Sequence, residues 1–239
     1  MIWDHPQPAV GVDLVLLSLG GEGLEVLLRQ RATPPFDGQL ALPGGIARSP
    51  SEVTLAQAAA RGLDLNLGSS ETWEGIPTER WDPDLEAAAR RVARESVGLE
   101  RLWLEQLYTF SALGRDPRGP VISVAWLGLL APTERACAQG QWIPWDSSLS
   151  IAFDHNQILD TARERLRGKV DYVPDLAPRL LAAPFTAAEL RAAHAAILGQ
   201  VPNRGSIFRR LGRWVEDGVL TQVGERATGR RPAKLYALA

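Results

Sequence analysis

The sequence predicts a layered protein of α+β or α/β class, in which an α/β/α sandwich around a mixed sheet precedes a small, basic C-terminal domain. Runs rich in β-branched residues alternate with helical periodicities in the first half of the chain, and the periodicity changes after Thr186. A chain of 239 residues with 45% hydrophobic residues can bury more than one core. We therefore expect a domain at 1–150, a linker helix and connection at 151–185, and a second domain at 186–239.

The predicted strands are apolar runs bounded by turn residues. Gly20-Gly21-Glu22-Gly23 separates the first two runs and is typical of a hairpin. The run Val121 to Leu130 is apolar apart from Ser123, which indicates a strand buried on both faces. The six predicted strands are Val10 to Leu19, Leu24 to Arg29, Gln39 to Leu42, Leu104 to Phe110, Val121 to Leu130 and Gln141 to Trp145.

Two helices are predicted to cover the sheet. The first spans 85–97, with Asp84 as N-cap and Gly98 as the stop. Its apolar face is expected to consist of Leu85, Ala88, Ala89, Val92 and Ser96. The second lies near 155–167, is capped by Asp154, and precedes a proline-containing connection around 173–185. Its apolar positions have helical spacing and are Ile158, Leu159, Ala162 and Leu166.

Composition excludes several classes of protein. The single cysteine, Cys137, excludes a disulfide framework within the chain and fits a reducing compartment. The longest apolar run, Val124 to Ala131, is too short to span a membrane. The first residues lack the basic region of a signal peptide. We therefore expect a cytoplasmic protein without a membrane partner.

Charge is distributed unevenly along the chain. From Thr186 to Ala239, eight arginines and Lys234 stand against four acidic residues, a net charge of +5. Because the whole chain carries −2, the remainder carries −7. An acidic body with a basic C-terminal domain is typical of a protein that binds nucleic acid through that domain.

The C-terminal pattern predicts a winged helix-turn-helix. One helix contains Leu190, His194, Ala195 and Leu198. A second, Ser206 to Glu216, is expected to turn Ile207, Phe208, Leu211 and Val215 inward, and Arg209, Arg210 and Arg213 outward. Strands at 220–223 and 233–238 bracket a basic hairpin. The candidate contacts to double-stranded DNA are Arg204, Ser206, Arg209, Arg210, Arg213, Arg226, Arg230, Arg231 and Lys234. The alternative is a helical cap whose arginines are merely solvated.

Two segments resemble a degenerate Nudix box, whose pattern is G-x5-E-x7-R-E-U-x-E-E-x-G-U with U aliphatic. Leu42-Pro43-Gly44-Gly45 supplies the preceding loop, and the positions that match are Arg91, Ala93, Glu95, Gly98 and Leu99. Pro83, Val92 and Ser96 stand where glutamates belong. Positions 92, 95 and 96 share a helix face, on which a Nudix enzyme holds Mg²⁺ against a pyrophosphate. With Glu95 alone, we expect no enzyme and no required cofactor, although weak Mg²⁺ binding and residual hydrolase activity stay open.

Further blocks extend the resemblance to nearly the whole chain. They are residues 30–38, 104–110, 115–123, 152–155, 208–210 and 229–236. The chain is similar to Nudix-related transcriptional regulators of NAD metabolism, which join a Nudix domain to a winged helix. The resemblance implies a regulator, expected to be a repressor, that senses ADP-ribose or a related nucleotide and binds a near-palindromic operator as a homodimer. The match of Arg204-Gly205-Ser206-Ile207 to the family's helix start is loose, which leaves the operator sequence open.

The resemblance and the chemistry of phosphate together suggest a ligand site. Gly44 and Gly45 would let the backbone approach the ligand, and Arg91 and Glu95 are the surviving box positions. Arg31, Arg115 and Arg118 are candidates to bind diphosphate or ribose, since a guanidinium offers two parallel donors to phosphate. Each of these three could instead be a surface ion-pair partner.

Other functions and features remain open at this level. The alternatives are a Nudix pyrophosphatase, a pentose-sensing regulator of the same architecture, and a binding module that uses its tail against a protein. Residues 49–82 are an insertion relative to the Nudix pattern and include an Ala/Leu-rich piece at 55–67. The insertion could be a lid, a surface excursion or a dimer contact. His155 is expected to be structural, and His5 and His194 lack zinc-ligand spacing.

Overall fold

A mixed seven-stranded sheet forms the centre of the N-terminal region in the computed structural model, which describes residues 7–48, 82–145, 149–229 and 231–239. The strand order is β3-β2-β1-β6-β5, with β4 paired to β1 and β7 paired to β2. The strands are β1 (Ala9–Leu19), β2 (Leu24–Gln30), β3 (Leu40–Ala41), β4 (Gly44–Ile46), β5 (Trp103–Phe110), β6 (Val121–Leu130) and β7 (Gln141–Pro144).

The sheet is mixed because its two central strands run parallel while their neighbours run antiparallel. β1 pairs with β6 in parallel from Ala9↔Val121 to Ser18↔Leu130. β1 is antiparallel to β2 and β4, and β5 is antiparallel to β6. All six predicted strands are confirmed, and each of their ends agrees with the structure to within one residue. β4 was not predicted, because Gly44-Gly45 has the composition of a loop.

Both faces of the sheet are covered. Along β1, Leu14 and Leu16 lie in one core and Val15 and Leu17 in the other, as the two-residue period of a strand requires. β6 divides its side chains in the same way, which confirms that its apolar run is a strand buried on both faces.

Helix α1 (Leu85–Val97) covers one face of the sheet. Asp84 caps its first turn, since the carboxylate accepts from the backbone N–H of Ala87 at 2.7 Å. Gly98 ends the helix with a φ of 70°, a left-handed conformation that glycine adopts without steric cost. Both predicted ends are therefore confirmed.

Helix α2 (His155–Lys169) covers the other face. Its predicted apolar positions, Ile158, Leu159, Ala162 and Leu166, are all buried. Asp154 occupies the N-cap position, but its side chain makes no capping hydrogen bond and its ψ is 20°. The prediction that Asp154 caps this helix was therefore wrong about the carboxylate, which is bound to Arg115 instead.

The C-terminal region is a helix-turn-helix with a three-stranded sheet. Its elements are β8 (Phe185–Thr186), α3 (Ala187–Leu198), α4 (Arg204–Glu216), β9 (Leu220–Arg226) and β10 (Ala233–Leu238), and the sheet order is β8-β10-β9. Thr186 and Glu189 form a capping box on α3, and the Asn203 side chain caps α4. The sheet begins at Phe185, one residue before the boundary expected from the sequence.

The buried face of α4 differs from the predicted one. Ile207, Leu211 and Trp214 are buried, whereas Phe208 is 47% exposed. A spacing of four and then three residues places these three side chains on one stripe. Phe208 is turned away from the centre of that stripe. The inward orientation predicted for Phe208 was therefore wrong.

A shared apolar core joins the N-terminal and C-terminal regions. It includes Val15 and Leu127 of the central sheet together with Leu190, Ile207 and Tyr236 of the C-terminal region. Short 3₁₀ helices at Pro132–Cys137 and Ala177–Leu180 complete the connections. None of the helices in the described ranges is long and apolar enough to cross a membrane. The predicted helical piece at 55–67 and most of the insertion at 49–82 lie outside the described residues.

Candidate functional site

A cavity of about 250 Å³ lies at the ends of the central strands of the sheet, and five of the seven predicted ligand residues line it. These five are Arg31, Gly44, Gly45, Arg115 and Arg118. They come from the segment after β2, from β4 and from the loop between β5 and β6. The start of α2 closes the cavity through Phe153 and His155. The fold thus brings together residues that are far apart in the sequence.

Arg115 is buried and bound to carboxylates on two elements. Its Nε and Nη2 donate to the two Asp154 oxygens at 2.9 and 2.7 Å. Nη2 also lies 3.5 Å from Asp13 Oδ2 on β1. The Arg115 side chain is only 5% exposed. This arginine therefore joins β1, the β5–β6 loop and α2 while one edge of its guanidinium borders the cavity.

Arg118 has one carboxylate partner and remains accessible. Its Nε and Nη2 donate to Asp116 at 3.0 and 2.6 Å. These hydrogen bonds, from a cation, hold the pKa of Asp116 below its ordinary value. The Arg118 side chain is 55% exposed. Its Nη1 forms no hydrogen bond to Asp116, so it can donate to an anion in the cavity while the pair with Asp116 stays formed.

Arg31 also lines the cavity, and it forms no ion pair with a carboxylate of the described residues. Its Nε donates to the Pro35 carbonyl at 2.7 Å and its Nη2 to the Thr33 carbonyl at 3.2 Å. Its guanidinium lies 4.6 Å from the centroid of the Phe153 ring, a cation–π arrangement. Because carbonyl groups do not neutralise a full charge, Arg31 gives the cavity its positive potential.

Asp13 lies between several polar groups at the base of the cavity. Ser123 Oγ donates to its Oδ2 at 2.5 Å, and His155 Nε2 lies 3.5 Å from its Oδ1. A side chain at Gly44 would overlap the Asp13 carboxylate and would lie 2.8 Å from the Val12 carbonyl oxygen. Gly44 is therefore required for β4 to pass this close to β1.

His155 has a defined neutral tautomer. The backbone N–H of Leu42 donates to its Nδ1 at 3.0 Å, so the ring proton lies on Nε2 and faces Asp13. Burial lowers the pKa of His155, which keeps the ring uncharged at neutral pH. The imidazole connects the loop before β4 to the start of α2, in agreement with the structural role expected from the sequence.

Arg91 and Glu95, the other two predicted ligand residues, lie outside the residues that line the cavity. The Arg91 guanidinium donates twice to Asp82 at 2.8 Å and once to the Ile46 carbonyl at 3.1 Å. Burial raises the pKa of Asp82, but the hydrogen bonds from Arg91 and the Arg48 backbone lower it overall. Arg91 therefore fastens the end of the inserted segment to α1.

The face of α1 on which a Nudix enzyme would hold its metal is closed in this protein. Val92 and Ser96 are 2% and 0% exposed, and the Ser96 hydroxyl donates to the Val92 carbonyl at 2.7 Å. Glu95 stands at the exposed edge and forms ion pairs with Arg48 at 3.4 Å and Arg91 at 3.6 Å. The three positions lie on one side of α1 as the spacing predicts, with Val92 and Ser96 turned to the core and Glu95 at its exposed edge. Within the described ranges, no group of three metal-ligating side chains occurs.

A second, larger cleft of about 460 Å³ lies between the β1–β2 turn, α2 and α3. Glu22 and Glu25 line it together with Arg163 and Arg167, so its charges are balanced. None of the predicted ligand residues borders it. The smaller cavity is the better candidate for an anionic ligand, because positively charged donors converge on it.

The exposed side of α4 presents arginines to solvent. Arg204, Arg209 and Arg213 are exposed, and Arg209 Nη2 donates to Ser206 Oγ at 3.3 Å. Arg231 and Lys234 are exposed on the hairpin formed by β9 and β10. These side chains form a basic surface of the kind that binds DNA phosphates.

Two predicted DNA contacts are held by acidic residues. Arg210 lies at the edge of the buried face of α4, 2.7 Å from the Asp171 carboxylate, so its predicted outward orientation was wrong. Arg226 pairs with Glu189 at 2.9 Å and donates to the Pro184 carbonyl at 3.2 Å, which ties the wing to the start of α3. Arg230 lies outside the described residues.

Sequence reasoning missed several residues around the cavity: Asp13, Asp116, Ser123 and Phe153. Asp13 had a usable signal, since it interrupts an apolar strand with a charge. Phe153 has a φ of 60°, an uncommon conformation for a residue with a side chain, and no sequence pattern indicates it. Their convergence depends on strand pairing and could not be inferred from spacing.

The similarity to known proteins extends over nearly the whole chain. No protein-family model matches it. The "ADPR responsive transcriptional repressor NtrR" of Acinetobacter baylyi is 29% identical over 244 residues, which cover 99% of this chain and 84% of that protein. The crystal structure of Shewanella oneidensis NrtR is 29% identical, with a TM-score of 0.75 and coverage of 97% of this chain and 94% of that chain. The same protein complexed with a 27mer DNA is 28% identical, with a TM-score of 0.72 and coverage of 96% and 93%.

Proposed function

We infer that this chain, an NrtR-like Nudix protein with a C-terminal winged helix, is a ligand-responsive transcriptional repressor that binds DNA. The observation that carries this inference is the similarity to an ADPR-responsive repressor and to the NrtR structures over both regions of the chain. The arginine-lined cavity and the basic face of α4 supply the two surfaces that such a function needs.

We propose ADP-ribose, or a related NAD-derived nucleotide, as the effector bound in the 250 Å³ cavity. Arg31 and Arg118 would bind the diphosphate, since each can offer N–H donors without loss of a core contact. Gly44 and Gly45 would keep the wall free of side chains. A positively charged cavity of this kind favours a phosphate ester over a neutral pentose.

The relatives are regulators, which supports a non-enzymatic role for this chain. We propose further that the degenerate box abolishes appreciable hydrolysis, because Val92 and Ser96 leave the metal face apolar and closed. Glu95 alone, already paired with two arginines, would bind Mg²⁺ weakly, and no cofactor is required for effector binding.

The proposed DNA-binding surface consists of five exposed cations of α4 and the wing together with the half-buried Ser206: Arg204, Arg209, Arg213, Arg231, Lys234 and Ser206. A single winged helix contacts few base edges. A homodimer on a near-palindromic operator is therefore the simplest arrangement. We propose that the operators belong to genes of NAD biosynthesis or salvage.

Fluorescence anisotropy tests the proposal. Labelled duplexes from the protein's own gene neighbourhood are titrated at several salt concentrations, with and without ADP-ribose. We expect specific binding that ADP-ribose alters and that weakens steeply with salt, because phosphate contacts release counterions. Arg209→Ala with Arg213→Ala should lower the slope of log affinity against log salt by about two units. Arg94→Ala, on the exposed side of α1, is the matched control and should leave the slope unchanged.

Each failure has a distinct meaning. DNA affinity that does not depend on salt or on Arg209 and Arg213 would contradict the winged-helix assignment. Tight operator binding that ADP-ribose leaves unchanged would contradict the proposed effector, and a pentose would be the next ligand to test. Turnover of ADP-ribose near about 1–1000 s⁻¹ with Mg²⁺ or Mn²⁺ would show an enzyme.

A further inference from the structure

Helix α2 runs from the candidate effector cavity to the DNA-binding region. At its N-terminus, His155 lines the cavity and Asp154 binds the cavity arginine Arg115. With 15 residues, α2 extends over about 22 Å. The helix packs against α3, and Arg167 Nε donates to the Ile197 carbonyl of that helix at 3.4 Å. One end of α2 therefore contacts the candidate effector cavity, and the other end contacts the C-terminal region.

The contact at the cavity end involves a carboxylate with two possible roles. Asp154 occupies the N-cap position of α2, yet both of its carboxylate oxygens accept from Arg115. Phosphate oxygens compete with a carboxylate for the same guanidinium donors. A diphosphate held by Arg31 and Arg118 would lie against Arg115, the third arginine of the same cavity, and its oxygens would compete with Asp154 for that guanidinium. A displaced Asp154 has a natural alternative partner, because the first backbone N–H groups of a helix donate to a capping aspartate.

The contact at the other end fixes an arginine of α4. Asp171, in the turn after α2, lies 2.7 Å from Arg210 Nη1. That nitrogen is shielded from solvent and has no hydrogen-bond partner among the described residues, so the pair is close but poorly aligned. Because the Asp171 carboxylate is half exposed and no aligned hydrogen bond is formed, this pair opens at a lower cost than a buried bidentate pair. Asp171 therefore holds Arg210 away from the exposed arginines of α4, and release of Arg210 would add a cation to that surface.

We propose that α2 couples effector binding to DNA binding, through the Arg115–Asp154 pair at one end and the Asp171–Arg210 pair at the other. The inference rests on the proposed function and names how the cavity regulates the winged helix. Effector binding frees Asp154 to cap the first turn of α2. The helix then shifts as a rigid unit on the core that its buried face contacts. This shift changes the ion pair between Asp171 and Arg210. Each ligand then favours one of two arrangements of the same element, which is the physical requirement for coupling.

The test measures the ratio of operator dissociation constants with and without saturating ADP-ribose, together with the ADP-ribose dissociation constant by calorimetry. In Asp171→Asn, we expect the ratio to fall to within about twofold of one, from a wild-type ratio in the typical range of about 5–150. ADP-ribose affinity should remain within about twofold of wild type, because Asp171 is remote from the cavity. Asp171→Glu should retain the wild-type ratio.

Two further variants complete the design. Asp154→Asn should also reduce the ratio, from the other end of the helix. Asp160→Asn removes the same charge from the exposed side of α2, where no ion pair with a described residue is formed, and should keep the wild-type ratio. An unchanged ratio in both Asp171→Asn and Asp154→Asn would overturn the coupling, as would an equal loss in Asp160→Asn. A wild-type protein whose operator affinity ignores ADP-ribose would instead overturn the proposed function.

Discussion

Among single residues, the arginines of the N-terminal region differ in role because their partners differ. Arg91 and Arg115 are 10% and 5% exposed and are satisfied by carboxylates, so they hold elements together. Arg31 makes hydrogen bonds to carbonyl groups and keeps an uncompensated charge within the described ranges of the chain. Each of these three arginines could bind phosphate by its residue type. The neighbouring groups decide which guanidinium keeps donors free for a ligand.

Arg31→Ala should weaken ADP-ribose binding by about 10- to 100-fold. This is the effect expected when a hydrogen bond to a charged group, of about 1.5–3 kcal/mol, is lost. The melting temperature should change little. Arg115→Ala should instead lower the free energy of unfolding by about 3 kcal/mol, because Asp154 and Asp13 lose their partner in a nearly buried site. Calorimetry and thermal denaturation of both variants separate the two effects. Equal stability losses in the two variants would contradict this assignment.

Among the elements, α1 has two well-formed ends and one apolar face. Asp84 and Gly98 cap it, and its buried side includes Ala88, Ala89 and Val92. Val92 also packs near Gly45, since a Cβ built there would lie 3.4 Å from Val92 Cγ2. The helix therefore supports β4 and the cavity wall by apolar packing.

Val92→Glu combined with Ser96→Glu should destabilise the protein by more than about 3 kcal/mol, because two carboxylates would enter a closed apolar face. This corresponds to a fall in melting temperature of roughly 6–12 °C for a chain of this size. Hydrolysis of ADP-ribose should not appear. Arg94→Glu places a glutamate on the exposed side of the same helix and serves as the control. A folded double variant that hydrolyses ADP-ribose with Mg²⁺ would show that the metal face is still accessible.

Across the whole molecule, a shared apolar core joins the N-terminal and C-terminal regions. Each region contains a buried histidine. His155 accepts from the Leu42 N–H, and His194 donates from Nδ1 to the Leu190 carbonyl at 2.9 Å while its ring stacks on Trp214. Burial lowers the pKa of both rings.

This pair of histidines predicts loss of stability in mild acid. Between the lowered pKa values of the folded state and the ordinary value of 6.5, the unfolded chain binds more protons than the folded one. Stability should therefore be full above pH 6.5 and decline as the pH falls below it. Thermal unfolding between about pH 7.5 and about pH 5.5 measures this effect without titrating the carboxylates. His194→Gln should reduce the decline, and an unchanged pH dependence in that variant would contradict the assignment.

The order and type of the elements could be predicted from the sequence, because their signals are local. Period-two and helical patterns, the caps Asp84 and Gly98, and the loop glycines all act between residues close together in the chain. The charge asymmetry indicated that the basic surface lies in the C-terminal region, where the exposed arginines of α4 are found. Five of the seven expected ligand residues proved to share one cavity.

Tertiary packing, in contrast, sets which of these residues are free to act. Arg91 is held by Asp82, Arg115 by Asp154, and Arg210 by Asp171, and each partner lies on another element or beyond a turn. Likewise, Asp13 reaches the cavity because β1 pairs with both β4 and β6. A charge is neutralised or exposed according to what lies within a few ångströms in space, and strand pairing and helix packing set those distances. Residue type and spacing along the chain cannot encode them.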